Sequence, residues 1–189
     1  MGRCRKSPAT ADSRVDEARG WIESLALWEI VVYSGAKWKA NQRPLMLLGE
    51  YEHTIDDKNR LTLPAKFRQA FADGVVVTRG MDGCLYAYNA ADWGSVVEQR
   101  LGGLDPFSRE ARQIQRYFFA GASDQELDKQ GRVMIPPSLM RHASLGREVV
   151  VAGVHNHLEI WDRAAWRQQL NEVEGSAEHV AERLAAQRD

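Results

Sequence analysis

Two acidic side chains each stand four residues ahead of an arginine: Asp56 before Arg60, and Asp128 before Arg132. A carboxylate so placed can hold a guanidinium by charge-assisted hydrogen bonds, and a held guanidinium is well matched to phosphate oxygens and to the O6/N7 edge of guanine. Both pairs belong to a longer pattern. Asp56-Asp57-Lys58-Asn59-Arg60-Leu61-Thr62-Leu63-Pro64 matches Asp128-Lys129-Gln130-Gly131-Arg132-Val133-Met134-Ile135-Pro136 at an offset of 72, as D-x-x-x-R-h-x-h-P with h aliphatic. Alone, such a pair is an ordinary turn salt bridge worth about 0–1 kcal/mol at a surface. Its presence in two copies whose flanking loops have drifted predicts that the arginines face a partner. Lys58, Lys66 and Arg68 around the first copy, with Lys129 and Arg141 around the second, predict a basic edge whose counterpart is phosphate.

The elements that must position these residues follow from local chemistry. Gly131 precedes Arg132 and Asn59 precedes Arg60; Gly and Asn adopt positive φ most readily, so the motif is a tight turn entering a strand rather than a helical pair. Leu61/Leu63 and Val133/Ile135 alternate with Thr62 and Met134, the period of a strand with one buried face. Pro64 and Pro136 end each strand and suit the first turn of a short helix, Ala65 to Phe71 and its counterpart near Ser138 to Ala143. Valine runs at 75–77 and 149–151 then open hairpins that turn at Met81-Asp82-Gly83 and Val154-His155-Asn156. Asn89 and Asp162 are N-caps of closing helices carrying Trp93, Val96, Val97 and Leu101, and Trp166, Leu170 and Val173. Between the copies, Asp105-Pro106 reads as an N-cap followed by proline, opening a helix through Arg109 to Phe119. The tail from Ser176 reads as a peripheral helix. A unit this small cannot bury both faces of its few strands, so the two copies are expected to interlock as a mixed β-rich and helical pseudo-dimer.

Composition narrows the function classes. The chain has 189 residues, 44% hydrophobic and 27% charged, enough for one ordinary domain or two small ones. No apolar run approaches the roughly 20 residues of a spanning helix. Cys4 and Cys84 lie in no metal-binding or disulfide pattern, and no apolar leader is present, so a cytoplasmic location is expected. Residues 1–45 hold eight Lys/Arg against five Asp/Glu, net +3, whereas residues 46–189 hold 17 against 21, net −4. That balance argues against binding nucleic acid through bulk charge and leaves a local basic face.

From Met46, the run Met46-Leu47-Leu48-Gly49-Glu50-Tyr51-Glu52-His53-Thr54-Ile55-Asp56, the two D-x-x-x-R copies, the Trp93 and Trp166 positions and the length that follows resemble the MraZ family, bacterial transcriptional regulators of the division and cell wall gene cluster. The resemblance spans essentially all of 46–189. It implies an α+β fold of two tandem swapped-hairpin, SpoVT/AbrB-like repeats forming an intrachain pseudo-dimer with additional helices. It also implies a homo-oligomeric ring, nucleoid-associated, binding short direct repeats of double-stranded DNA in the promoter of its own operon as a repressor, with no cofactor. Residue by residue, the family's arginine falls on Arg60 and Arg132 and its lysine on Lys58. The expected DNA-binding set is Arg60, Lys58, Asn59, Arg132 and Lys129, oriented by Asp56, Asp128 and Gly131. Asn59 departs from the glycine typical of the family and puts the tightness of the first turn in question. Arg60 is favoured over Arg132 because Lys58 and Lys66 cluster with it.

The expected organisation is an N-terminal extension over 1–45, a first domain over 46–95, connecting helices over 96–120, a second domain over 121–166 and a helical tail over 167–189. The extension, with Trp21, Trp28 and Trp38 and an apolar stretch from Ile22 to Val32, is expected to be disordered or to come from an upstream start-codon choice, with Met46 the biological start. An enzyme or metal site would rest on His155-x-His157, or on His53 beside Glu50 and Glu52; no third ligand, nucleophile motif or Gly-rich loop accompanies them. A protein-binding scaffold or antitoxin-like module of the same fold, using Tyr117, Phe118 and Phe119, remains the alternative.

Overall fold

The structure, a computed structural model, describes residues 46–187; the readings made for residues 1–45 lie outside the described residues. Strand β1 spans Leu47–Thr54 and β2 Arg60–Thr62, followed by helix α1, Ala65–Arg68, which tightens into a 3-10 turn over Gln69–Phe71. Strands β3 (Val75–Arg79) and β4 (Leu85–Asn89) form the first hairpin and lead into α2 (Ala90–Leu101). Helix α3 (Arg109–Phe119) connects to the second copy: β5 (Ser123–Gln125), β6 (Arg132–Met134), α4 (Pro137–His142), β7 (Glu148–His155), β8 (His157–Asp162) and α5 (Arg163–Ala186).

The expected interlocking is present. An antiparallel sheet runs in the order β1-β7-β8-β4-β3-β5, which reads the same from either end when the two copies are exchanged. Each copy keeps its own hairpin but lends its first strand to the other: β1 pairs with β7, and β5 with β3. The motif strands β2 and β6 pair with one another in a separate ladder centred on Leu61 opposite Val133, and Leu61 also bridges Ile55. Neither copy can complete its hydrogen bonding alone.

The core lies between the ladder and the sheet. Leu61, Leu63, Val133, Ile135, Phe67, Phe71 and Leu139 are buried against Val75, Val77, Leu85, Val149, Val151, Leu158 and Ile160. On the opposite face of the sheet, Val76, Tyr88, Val150 and Trp161 are also buried, so β3 and β7 are covered on both sides, which accounts for unbroken valine runs in place of alternation. Trp93 of α2 packs on Tyr88 with ring centroids 5.4 Å apart, and Trp166 of α5 packs on Trp161 at 5.7 Å. The Trp166 indole donates to Glu50 of β1 at 2.8 Å, fastening α5 to the borrowed strand.

Asn89 and Asp162 cap α2 and α5 as expected, accepting from the amides of Ala91 and Ala164. The start of α3 differs: Ser108 is its N-cap, accepting from Ala111 N, while Asp105 accepts from Phe107 N and so caps the turn before the helix. Proline at position 106 is compatible with either arrangement, and the Ser108 hydroxyl lies where the helix amides can use it. Helix α5 continues unbroken through the expected tail, and its end is exposed. Thr78, a buried polar residue of β3, donates its hydroxyl to Phe118 O at 2.6 Å and ties α3 to the sheet.

Leu61→Ala at the centre of the ladder removes a fully buried side chain shared by both copies, so stability falls by about 2–5 kcal/mol. Because neither copy can keep its sheet without the other, urea unfolding followed by far-UV and near-UV circular dichroism gives one coincident transition, shifted to lower urea in the variant.

Candidate nucleic-acid interface

The two turns have the same construction. In the first, Asp56 Oδ1 accepts from the amides of Lys58 and Arg60, each at 2.9 Å, and Oδ2 accepts from Arg60 Nε at 2.8 Å and lies 2.7 Å from Nη2. In the second, Asp128 Oδ1 accepts from the amides of Gln130 at 2.9 Å and Arg132 at 3.0 Å, and Oδ2 lies 2.7 Å from both Arg132 Nε and Nη2. Backbone bonds close each loop: Asn59 N to Asp56 O and Gly131 N to Asp128 O, with Asp56 N to Arg60 O and Asp128 N to Arg132 O at 3.0 Å.

Asn59 takes φ 56° and Gly131 φ 73°, so the first turn keeps the left-handed geometry despite lacking glycine. Their surroundings explain why one position holds a side chain and the other holds none. Arg68 of α1 donates Nε to Leu63 O at 2.9 Å and lies across the second turn, where a Cβ on Gly131 would meet its Cδ and Nε at 2.6 Å. The place matching Arg68 in the second copy is taken by Met140.

Each turn is also closed by the other copy. The Gly131 carbonyl accepts from Leu63 N at 2.9 Å, and the Asn59 carbonyl accepts from Ile135 N at 2.7 Å. In the ladder Arg60 stands opposite Met134, and Thr62 opposite Arg132. Directly opposed residues share a face, so Arg60, Thr62, Arg132 and Met134 form one outward surface while Leu61 and Val133 point into the core. Met134 is 53% exposed there.

A guanidinium carries five N–H donors. Asp56 engages Nε and one N–H of Nη2, leaving Arg60 an end-on fork of Nη1 and Nη2, and Asp128 leaves Arg132 the same fork. The ion pairs fix protonation states. The Arg60 side chain, then its amide, hold the Asp56 carboxyl down at about 2, and Asp56 in turn raises the Arg60 pKa, helped by the field of Asp128. Burial works against ionisation of Asp128, but the Arg132 amide and side chain outweigh it, and its pKa is also lowered. Both arginines are therefore held in a fixed orientation before any ligand arrives.

The basic edge is smaller than the sequence implied. Lys58 and Lys129 are exposed beside the turns and make no ion pair among the described residues. Lys66 instead donates to Leu48 O at 3.1 Å, at the end of β1 far from Asp56, so it does not cluster with Arg60. Arg68 is spent on Leu63 and Gly131. With Lys66 gone from the first turn, only Lys58 remains of the pair that favoured Arg60; it stands two residues before Arg60, and Lys129 stands three before Arg132.

The residues weighed for catalysis are dispersed. His155 is exposed at the second hairpin turn with φ 61°, whereas His157 is tucked against Tyr86 and Tyr88. Among the described residues, no three His, Cys, Asp or Glu side chains gather in a way that could hold a metal ion. Cys84 is buried, and burial pushes its thiol pKa up.

Comparison with known proteins agrees with the internal symmetry. The family model for MraZ protein, described as antitoxin-like, matches residues 46–116 and 118–188, two segments that begin 72 residues apart, as the motifs do. The chain is 46% identical over 140 residues to the transcriptional regulator MraZ of Roseiflexus castenholzii, covering 74% of this chain and 97% of that relative. It is 45% identical over 139 residues to the transcriptional regulator MraZ of Ligilactobacillus salivarius, covering 74% and 96%. The protein of the same name from Limosilactobacillus fermentum is 50% identical over 121 residues, covering 64% and 84%.

The lowered Asp56 pKa sets a pH window. Its stabilising contribution is complete above the ordinary carboxyl value of 3.8 and is lost as pH falls through about 2. Asp56→Asn keeps an oxygen for the turn amides but cannot hold the guanidinium. The variant is less stable than the parent at neutral pH, and the gap narrows as pH falls from about 4 toward 2, measured as the difference in urea midpoints across a pH series.

Proposed function

The chain belongs to the MraZ family, and we propose on that premise that it is a sequence-specific DNA-binding regulator of transcription. Its finer role in this proposal is repression of its own division and cell wall operon, by binding short direct repeats in the promoter. The reading rests on one observation: two carboxylate-held arginines, each with an end-on fork free, share the outer face of a single two-stranded ladder. An end-on fork can donate two parallel bonds to guanine O6/N7 or to a phosphate. Asn59 and Gly131 shape the turns, and Lys58 and Lys129 add phosphate contacts at their flanks.

The acidic body, net −4 over residues 46–189, means that one chain gains little from overall attraction to DNA. Several copies presenting the same face to repeated half-sites overcome this through effective concentration, so a homo-oligomer, in this proposal a ring, is the DNA-binding form. Helix α5 supports assembly. Trp166, Leu170, Val173, Ala177, Val180 and Leu184 follow one another at spacings of four and three, and Val173, Val180 and Leu184 are exposed. No described helix is long and apolar enough to cross a membrane, and the proposed site of action is the nucleoid in the cytoplasm.

Fluorescence anisotropy of the full chain with the DNA upstream of its own gene, against a scrambled fragment over a salt series, tests the reading. Preferential binding is expected, with affinity falling as salt rises. Arg60→Ala and Arg132→Ala each cost about 1–3 kcal/mol, roughly 5- to 150-fold in Kd, and relax the preference for the native fragment. Equal or absent binding of both fragments by the folded protein would favour the protein-binding, antitoxin-like alternative.

A further inference from the structure

An apolar side chain that the core does not use stands on the outer face of the β2–β6 ladder. Met134 is 53% exposed, whereas its strand neighbours Val133 and Ile135 are buried. The ladder brings it to Arg60. Asn59 O accepts from Ile135 N and Gly131 O accepts from Leu63 N, and along an antiparallel ladder hydrogen-bonded pairs alternate with non-bonded ones. Arg60 with Met134, and Thr62 with Arg132, are therefore non-bonded pairs, the kind whose side chains stand closest, with Cα atoms about 4.5 Å apart.

In such a pair the backbone of Met134 faces the outer edge of the ladder, and there it is clamped. Gln125 of β5 donates Nε2 to Met134 O at 2.7 Å and accepts from Met134 N through Oε1 at 3.2 Å, and Nε2 also donates to Ser123 Oγ at 2.9 Å, which orients the amide. Because β5 pairs with β3, the clamp ties Met134 to the six-stranded sheet. The position matching Gln125 in the first copy, 72 residues earlier, is His53, whose imidazole cannot offer an oxygen and an N–H side by side.

An apolar side chain fixed beside a guanidinium fork suits one feature of duplex DNA. Arginine matches the O6/N7 edge of guanine, and the apolar group displayed in the major groove is the C5-methyl of thymine. We propose that Met134 is a specificity-determining residue, packing on the methyl of a thymine next to the base read by Arg60. The proposal rests on the DNA-binding reading and deepens it. Exchanging the two copies puts Thr62 where Met134 stands, so Arg132 has a hydroxyl for its companion and Arg60 a thioether. The two halves of the ladder are thus unlike readers of sequence.

Fluorescence anisotropy of the full chain with the DNA upstream of its own gene, beside the same fragment carrying deoxyuridine for thymidine, tests it, because uracil keeps the hydrogen-bonding groups of thymine and lacks only the methyl. The parent chain is expected to bind the deoxyuridine fragment about fourfold more weakly, the effect of losing one buried methyl. Met134→Ala loses a similar factor on the thymidine fragment and is indifferent to the exchange. A parent unaffected by the exchange, or a Met134→Ala variant weakened by it as much as the parent, would overturn the proposal. Arg60→Ala in the same series separates the two readings. Preference for the native fragment that is lost in Arg60→Ala, with no effect of deoxyuridine on the parent, sinks the role of Met134 alone; absence of any preference in the parent sinks it together with DNA recognition. Far-UV circular dichroism establishes that the variants fold; should Met134→Ala not fold, the parent's response to the exchange decides.

Discussion

The Asn59 carbonyl accepts the Ile135 amide and the Gly131 carbonyl accepts the Leu63 amide, so each turn that aims an arginine is closed by the strand of the other copy. These two bonds bracket a ladder only three residue pairs long, with Leu61 and Val133 beneath it in the core. A three-residue ladder has little stability of its own. It persists because Phe67, Phe71 and Leu139, on the short helices that follow each motif, pack under it against the six-stranded sheet. The orientation of Arg60 and Arg132 is thereby a property of the whole pseudo-dimer and not of a nine-residue motif.

Electrostatics at the turns works by placement more than by quantity. Each arginine is paired with a carboxylate, so the pair adds no net charge to a body that is already acidic. What the carboxylate supplies is direction: it engages one edge of the guanidinium and leaves the other as a fixed fork. In the proposed DNA-binding role, fixing the fork in advance removes side-chain ordering from the cost of binding, and repetition of the fork within the chain and between the proposed copies supplies affinity that net charge cannot.

Features governed by local chemistry were legible in the amino-acid order. The Asn/Gly turns, the strands ended by Pro64 and Pro136, the valine hairpins and the caps at Asn89 and Asp162 each depend on a few neighbouring residues, and all are where the sequence places them. Features set by distant partners were not. Strand β1 carries Glu50 and Glu52, and β5 is the polar triplet Ser123-Asp124-Gln125; both are strands because they pair with the opposite copy's hairpin. Lys66 is seven residues from Asn59 in the chain, yet its ammonium ends on Leu48. Ser108 displaced Asp105 as the cap of α3 because both are good caps three residues apart, and composition cannot choose between them.

The central claim is that Asp56 and Asp128 serve recognition by orienting arginines. The double variant Asp56→Asn with Asp128→Asn tests it most directly, because two physical accounts give opposite signs. Removing two carboxylates makes each chain less acidic, so attraction through net charge alone would tighten its binding to the DNA upstream of its own gene. Release of both forks instead predicts weaker binding, by about tenfold at fixed salt in fluorescence anisotropy. Unchanged or tighter binding by the folded double variant would contradict the account.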